Sequence, residues 1–193
     1  MQSILRPGQH LRMLLFIMLL HPTGQLLAQG WQVGPDIQQY PTGFLFGLTF
    51  VKESPTGFSF EGRLGYNLVR HGDAGVHEDE RGGGWGATIG GHWHISAREQ
   101  KDSHGWILGP RVDLWFNQIN WEDQIGQPNL VMGRTNVIVL QPTAQLGYEF
   151  PLANHWKLVP TLALGIEINL RESGGEVGEG MIFLWGLRFI RRF

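Results

Sequence analysis

Apolar and polar residues alternate along most of this chain, and the alternation is longest over Trp156–Arg171. There Trp156, Leu158, Pro160, Leu162, Leu164, Ile166, Ile168 and Leu170 take one phase. Lys157, Thr161, Ala163, Gly165, Glu167, Asn169 and Arg171 take the other, with Val159 the exception. A period of two puts the two sets on opposite faces of an extended strand. Strands of soluble domains usually run to about 5–6 residues. A barrel strand crosses a bilayer with about 9–11 tilted residues and can project beyond it. The pattern therefore predicts a membrane-spanning strand with an apolar face toward lipid and a polar face toward a lumen.

The same period recurs along the chain. Strands are expected at about Trp31–Gln38, Phe44–Lys52, Phe58–Arg70 and Trp85–Ser96. The next runs from Trp106 to a loop at about Asn120–Thr135, and another from that loop to Phe150. Trp156–Arg171 and Met181–Phe193 complete a set of eight. Breaker-rich stretches at Tyr40–Gly43, Glu53–Gly57, Ala97–Gly105 and Pro151–His155 separate them, with polar, Gly-rich His71–Gly84 expected as a long loop. An even strand number suits a single-chain barrel with both ends on one side. The turns Glu53–Gly57, Ala97–Gly105 and Pro151–His155 are then expected to be periplasmic, and the loops His71–Gly84 and about Asn120–Thr135 external. The fold class is an all-β, eight-stranded antiparallel up-and-down transmembrane β-barrel.

A phased motif supports this reading. Trp31…Pro35, Trp106…Pro110 and Trp156…Pro160 share Trp-x-apolar-x-Pro, and Phe58, Phe60 and Gly62 fill the same slots in another strand. Trp prefers the headgroup level, so Trp31, Phe58, Trp106 and Trp156 are expected to form one interfacial aromatic rim. Each Pro lacks an N–H, which predicts breaks in the hydrogen-bond ladder near that rim.

Composition adds a few constraints. The length of 193 residues suits one domain, and a net charge of −2 gives no reason to expect nucleic acid. The absence of Cys excludes a disulfide framework, a thiolate metal site and a lipidated N-terminal Cys. Near the N-terminus, Arg6 and Arg12 precede the apolar run Met13–Leu20, which Pro22 and Gly24 end. That run is too short to span a membrane as a helix and fits the core of a cleavable signal peptide ending near Ala28-Gln29. The domain plan is a signal peptide over 1–28 and a barrel over 29–193.

With these features the sequence resembles the small eight-stranded outer-membrane barrels, the class of OmpX, the OmpA membrane domain and the PorT-type barrels. The resemblance covers nearly all of the mature chain. It implies location in the bacterial outer membrane and contact with membrane lipids, including lipopolysaccharide. It also implies that Phe193, behind Phe183, Trp185, Leu187 and Phe189, acts as the signal read by the barrel-assembly machinery. Arg191 departs from that pattern.

Candidate chemistry lies on the inward phase. Asp36, Glu61, Asp113, Glu149 and Glu167 stand against Arg63, Arg111, Lys157, Arg171, Arg188 and Arg192. An eight-stranded barrel has room only for side chains to fill it. A charge network that plugs the lumen, built on Glu61, Arg63, Arg111, Asp113, Glu149, Glu167, Arg171 and Arg188, is favoured over a narrow polar conduit. His94-Ile95-Ser96 resembles the His-x-Ser of PagL-type lipid A deacylase barrels, although Ala97 replaces that family's Asn. His94 and Ser96 are therefore weak catalytic candidates, and His92 shares their face. His71, His77, Glu78, Asp79 and Glu80 could hold a divalent cation, but without a fixed ligand spacing a solvated acidic loop is favoured. No cofactor or metal is expected. The reading is a non-enzymatic outer-membrane barrel with a structural or surface-interaction role, and the alternatives are a lipid-modifying enzyme or a narrow pore.

Overall fold

The computed structural model describes residues 30–54, 57–72, 76–95 and 105–193. The signal segment 1–28 and Ser96 lie outside the described residues. Eight strands follow one another: β1 (Trp31–Tyr40), β2 (Gly43–Lys52), β3 (Phe58–Gly72), β4 (Asp79–His94), β5 (Gly105–Asp123), β6 (Val131–Pro151), β7 (Trp156–Ser173) and β8 (Gly180–Arg192). Each pairs antiparallel with the next, and β8 returns to β1 to close the barrel. Phe193 N–H donates to Trp31 O at 2.9 Å, so the start of β1 and the end of β8 meet at one end, here called the base. The opposite end is the mouth.

The faces sort by phase. Leu64, Trp85, Ile89, Phe116, Leu164 and Trp185 all point outward and stay exposed, while Glu61, Arg63, Thr88, Asp113, Gln145 and Arg188 are buried inside. Large apolar groups on the outside and polar groups on the inside invert the arrangement of a water-soluble domain. A band of this kind, carried by closed strands with no free edge, matches a barrel facing hydrocarbon.

Two loops expected from the sequence are largely strand. β4 begins at Asp79 rather than Trp85, and its ladder continues through Arg70↔Arg81, His71↔Glu80 and Gly72↔Asp79. β5 persists to Asp123 and β6 starts at Val131, so Asn120↔Arg134 and Asp123↔Val131 are paired where a long loop was expected. Glycines and charges have low strand propensity and hide these extensions. A Cβ on Gly82 would meet Gln118 O at 2.0 Å and one on Gly84 would meet Phe116 O at 1.8 Å. These glycines let the β4 backbone lie close against β5, a recurrent use of Gly within strands.

The prolines interrupt the ladder as the missing N–H requires. The β1–β8 pairing skips Gly34 and Pro35, the β4–β5 pairing skips Gly109 and Pro110, and the β6–β7 pairing skips Val159 and Pro160. The same β6–β7 pair carries a bulge near the mouth. Val139 pairs with Asn169 but Ile138 pairs with Arg171, leaving Leu170 as the extra residue. A bulge shifts the phase by one. This corrects the expectation for Arg171, which sits opposite outward-facing Ile138 and is exposed.

Candidate functional site: the barrel lumen

The middle of the lumen is occupied by three guanidiniums and three carboxylates drawn from four strands, β1, β3, β5 and β8. Arg63 on β3 donates from Nη1 to Asp36 Oδ1 at 2.9 Å, from Nη2 to Asp113 Oδ1 at 2.5 Å and from Nε to Thr88 Oγ1 at 3.0 Å. Arg188 on β8 donates from Nε to Asp36 Oδ2 at 3.0 Å, from Nη1 to Glu61 Oε2 at 2.7 Å and from Nη2 to Gln145 Oε1 at 2.7 Å. Gln145 donates in turn to Glu61 Oε2 at 2.9 Å. Arg111 donates from Nε to Asp113 Oδ2 at 2.9 Å, while its two terminal nitrogens have no hydrogen-bond partner among the described residues. The groups sum to zero charge, which offsets the several kcal/mol per ion that burial would otherwise cost.

Small residues make room for these long side chains. A Cβ on Gly47 would lie 2.9 Å from Arg63 Cγ and Cδ, and one on Gly90 would lie 3.3 Å from Arg111 Cβ. Trp115, fully buried, places its indole 5.6 Å from the Arg63 guanidinium carbon. Its Nε1 donates to Gln141 Oε1 at 3.0 Å, and Gln141 donates to Glu167.

Glu149 and Glu167 thus face the lumen apart from this network. Glu167 is tied in only through Gln141. Glu149 belongs to a separate group at the base, where Lys157 Nζ lies 3.0 Å from Glu149 Oε2 and 3.2 Å from Glu53 Oε1. Arg192 Nη2 reaches Glu53 Oε2 at 3.1 Å, and Gln32 donates to Glu53. His94, half-buried, sets Nε2 3.3 Å from Glu149 Oε2. It therefore points into the barrel and not toward lipid. His92, 2% exposed, lies beside it with ring centroids 5.3 Å apart.

Toward the mouth the lining turns apolar. Leu45, Val69, Ile119, Val139, Ile182 and Leu184 pack together with Trp115 beyond the charges. A cavity of about 240 Å³ opens beyond them, bounded by Tyr40, Asn67, Asn117, Glu167 and Asn169. The lumen is layered, whereas the alternation predicted a polar face toward it. The signal was present as inward-phase Leu45, Val69, Trp115, Val139 and Leu184.

At the mouth, His77 fastens the β3–β4 connection to its neighbours. Its Nδ1 is 2.7 Å from Asp123 Oδ2, its Nε2 is 3.1 Å from Glu176 O, and its ring stacks on Trp121 at 3.9 Å. Glu78 N–H donates to Asp123 Oδ1 at 3.0 Å. The His77 contact, and then the Glu78 amide, hold the Asp123 carboxyl below its ordinary range. His71 Nε2 lies 2.9 Å from Glu80 Oε2. The two mouth histidines are spent on separate carboxylates.

The expected rim aromatics lie at the base. Phe58 packs on Trp93 at 4.7 Å, Trp106 on Tyr148 at 5.2 Å and Trp156 on Phe189 at 4.4 Å, while Lys52 lies over Trp31. Arg191, the residue out of pattern in β8, sets its guanidinium 5.9 Å from the Trp156 ring and 5.3 Å from that of Phe193. Its charge is accommodated by cation–π contact at the rim.

An eight-stranded, closed, antiparallel barrel with an apolar exterior and a packed lumen defines the class of small outer-membrane barrels. No protein family and no curated sequence matches the chain. Among solved structures it is similar to Neisserial surface protein A (NspA), at 12% identity and TM-score 0.51, over 86% of this chain and 98% of that one. A major outer membrane protein from Thermus thermophilus gives 10% identity and TM-score 0.57, over 86% and 100%. The outer membrane protein AlkL, solved in lipid bilayers, gives 12% and 0.50, over 86% and 90%. At these identities the likeness is one of fold.

Proposed function

We propose that this protein is an integral outer-membrane barrel, exported by a signal peptide, that acts through the surface presented at its mouth and catalyses no reaction. The observation that carries the reading is the closed middle of the lumen. Arg111, Asp113 and Arg188 are at most 2% exposed there, which supports a plugged lumen over a polar conduit. Contacts with other molecules are then left to the exterior and to the mouth. The longest strands, β5, β6 and β7, rise furthest there and carry the docked β3–β4 connection. The base, with its aromatic rim, faces the periplasm. NspA, similar in fold, is described as a surface protein, which fits a mouth directed outward. Membrane lipids, lipopolysaccharide included, surround the barrel, and Phe193 serves the assembly machinery.

A membrane-impermeant maleimide tests the orientation. Gln127→Cys is expected to be labelled in intact cells, and Ala153→Cys only after permeabilisation; the reverse pattern overturns the assignment. Planar bilayers holding the purified barrel are expected to show no discrete conductance steps. Mass spectra of lipid A are expected to be unchanged by overexpression. A spectrum with a lost acyl chain that reverts in His94→Ala would replace this reading with the deacylase one.

A further inference from the structure

We propose that His92, His94 and Glu149 form a binding site for a divalent transition-metal ion in the lumen at the base of the barrel. His92 and His94 are two apart on β4 and so share its inward face. Glu149 reaches them from β6 across β5, where Gly105, its direct partner in the register, has no side chain to intervene. One donor atom from each of the three residues lies within 4.8 Å of the other two. Tetrahedral Zn²⁺ with N and O ligands at about 2.0–2.1 Å keeps its donors roughly 3.3 Å apart. His94 Nε2 and Glu149 Oε2 already stand at 3.3 Å. Rotation of His92 supplies the third ligand.

The second observation is His92 itself. The ring is 2% exposed, yet neither nitrogen has a hydrogen-bond partner among the described residues. Buried, unsatisfied polar groups are uncommon and ask for an explanation, a bound ion among them. Glu61 Oε2 stands 3.5 Å from His92 Nδ1, short of a bond but placed to orient the ring once the imidazole is committed. A carboxylate behind a ligating histidine is a usual support in such sites. Two imidazoles and one carboxylate select Zn²⁺ and its neighbours over Ca²⁺ or Mg²⁺, which prefer all-oxygen shells.

Lys157 is the opposing group, since its ammonium sits 3.0 Å from Glu149 Oε2. It also has Glu53 at 3.2 Å, so it keeps a carboxylate partner when the ion takes Glu149. Lys157 thereby tunes affinity, and its removal favours the metal. The site does not depend on which side of the membrane the base faces, so its test is separate from that of the surface role.

The test uses the whole processed barrel, refolded without a histidine tag and freed of metal. Isothermal titration with Zn²⁺ is expected to show one site per barrel, and Co²⁺ to give the visible bands of low-coordinate cobalt. Folding is checked by the migration of unheated samples on gels. His94→Ala and Glu149→Gln are expected to weaken Zn²⁺ binding by at least about 10–100-fold, the loss typical of removing even a residue that only supports a ligand. Lys157→Met is expected to tighten it. Should the variants fail to fold, Zn²⁺-induced shifts of the His92 and His94 imidazole resonances in the wild type decide the matter. The proposal is overturned if wild-type barrel binds no Zn²⁺, as it would were His92 satisfied by water alone. It is equally overturned if binding survives both substitutions, or is lost instead when His71→Ala and His77→Ala are combined.

Discussion

Asp36 joins the two halves of the central network, and its removal measures what that network contributes. The carboxylate is 3% exposed and accepts from Arg63 Nη1 at 2.9 Å and from Arg188 Nε at 3.0 Å. Hydrogen bonds to charged groups contribute about 1.5–3 kcal/mol each, so two give about 3–6 kcal/mol. Arg63 retains Asp113 and Arg188 retains Glu61. Those partners place the expected cost of Asp36→Ala near the lower end, about 3–4 kcal/mol, within the 3–5 kcal/mol typical of removing one partner from a buried pair. Asp79→Ala is the control. It deletes the same side-chain atoms, but its partner Arg81 is 68% exposed, and exposed pairs contribute about 0–1 kcal/mol. The assay is denaturant unfolding of the barrel in lipid vesicles, followed by Trp fluorescence and read at equal slopes. A cycle pairing Asp36→Ala with Arg188→Met isolates the coupling, expected within about 0.5–3 kcal/mol for residues in contact. A cost for Asp36→Ala within about 1 kcal/mol of Asp79→Ala would refute the view that the network holds the barrel together.

The other predictions follow from the same geometry. Among the described residues Arg111 leaves two terminal nitrogens unpaired, while all three Arg63 nitrogens donate, so in the same unfolding assay Arg111→Met is expected to cost less than Arg63→Met, by about 2 kcal/mol. Leu162, about halfway along the lipid-facing part of β7 from the Trp156 rim, is expected to lose about 2–4 kcal/mol on Leu162→Arg, as charges do near a bilayer midplane; a cost below about 1 kcal/mol would place this face outside hydrocarbon. A Cβ on Gly86 would come within 2.2 Å of Trp115 Cε3. Gly86→Ala should therefore destabilise by about 1–3 kcal/mol through overpacking, with a changed Trp115 emission. Asp123 has a lowered pKa when docked on His77 and Glu78, so its contribution is present above the ordinary aspartate range and lost as pH falls through the lowered value. Protection of the Glu78 amide, taken relative to its intrinsic exchange rate, is expected to fall in that acidic window in wild type, and to be low and insensitive to it in Asp123→Ala.

Strand number, closure order and the sorting of faces were legible because a period of two is a local signal repeated eight times. Trp156–Arg171 shows how far that carries. Its phase holds from Lys157 to Asn169 and then fails at Leu170, where the bulge turns Arg171 outward. Nothing in the residues near Leu170 marks a bulge, because it is set by pairing with β6 and not by β7 alone. The extents of β4, β5 and β6 were hidden for a related reason. Gly82–Gly84 and Asn120–Asp123 have weak strand propensity, and only the neighbouring ladder holds them extended. Charge signs and inward phase were readable for Glu61, Arg63, Arg111, Asp113 and Arg188. Which of them touch depends on stagger around a closed barrel, and Glu149 illustrates this by pairing with Lys157 at the base.

The layering of the lumen follows from what each level has to satisfy. Three guanidiniums crossing a narrow barrel need three carboxylates at the same height, so Asp36, Glu61 and Asp113 must be fixed in register by strands β1, β3 and β5. Above them the wall continues as strands but no longer needs charge, and Leu45, Val69, Val139 and Leu184 fill it at lower desolvation cost. Trp115 sits at the boundary with its ring toward Arg63 and its Nε1 bonded to Gln141, meeting both environments. Substitutions at the central level should therefore cost more stability, in the same unfolding assay, than substitutions at exposed mouth positions such as Gln127. The exposed mouth is where sequence can vary without disturbing the barrel beneath it.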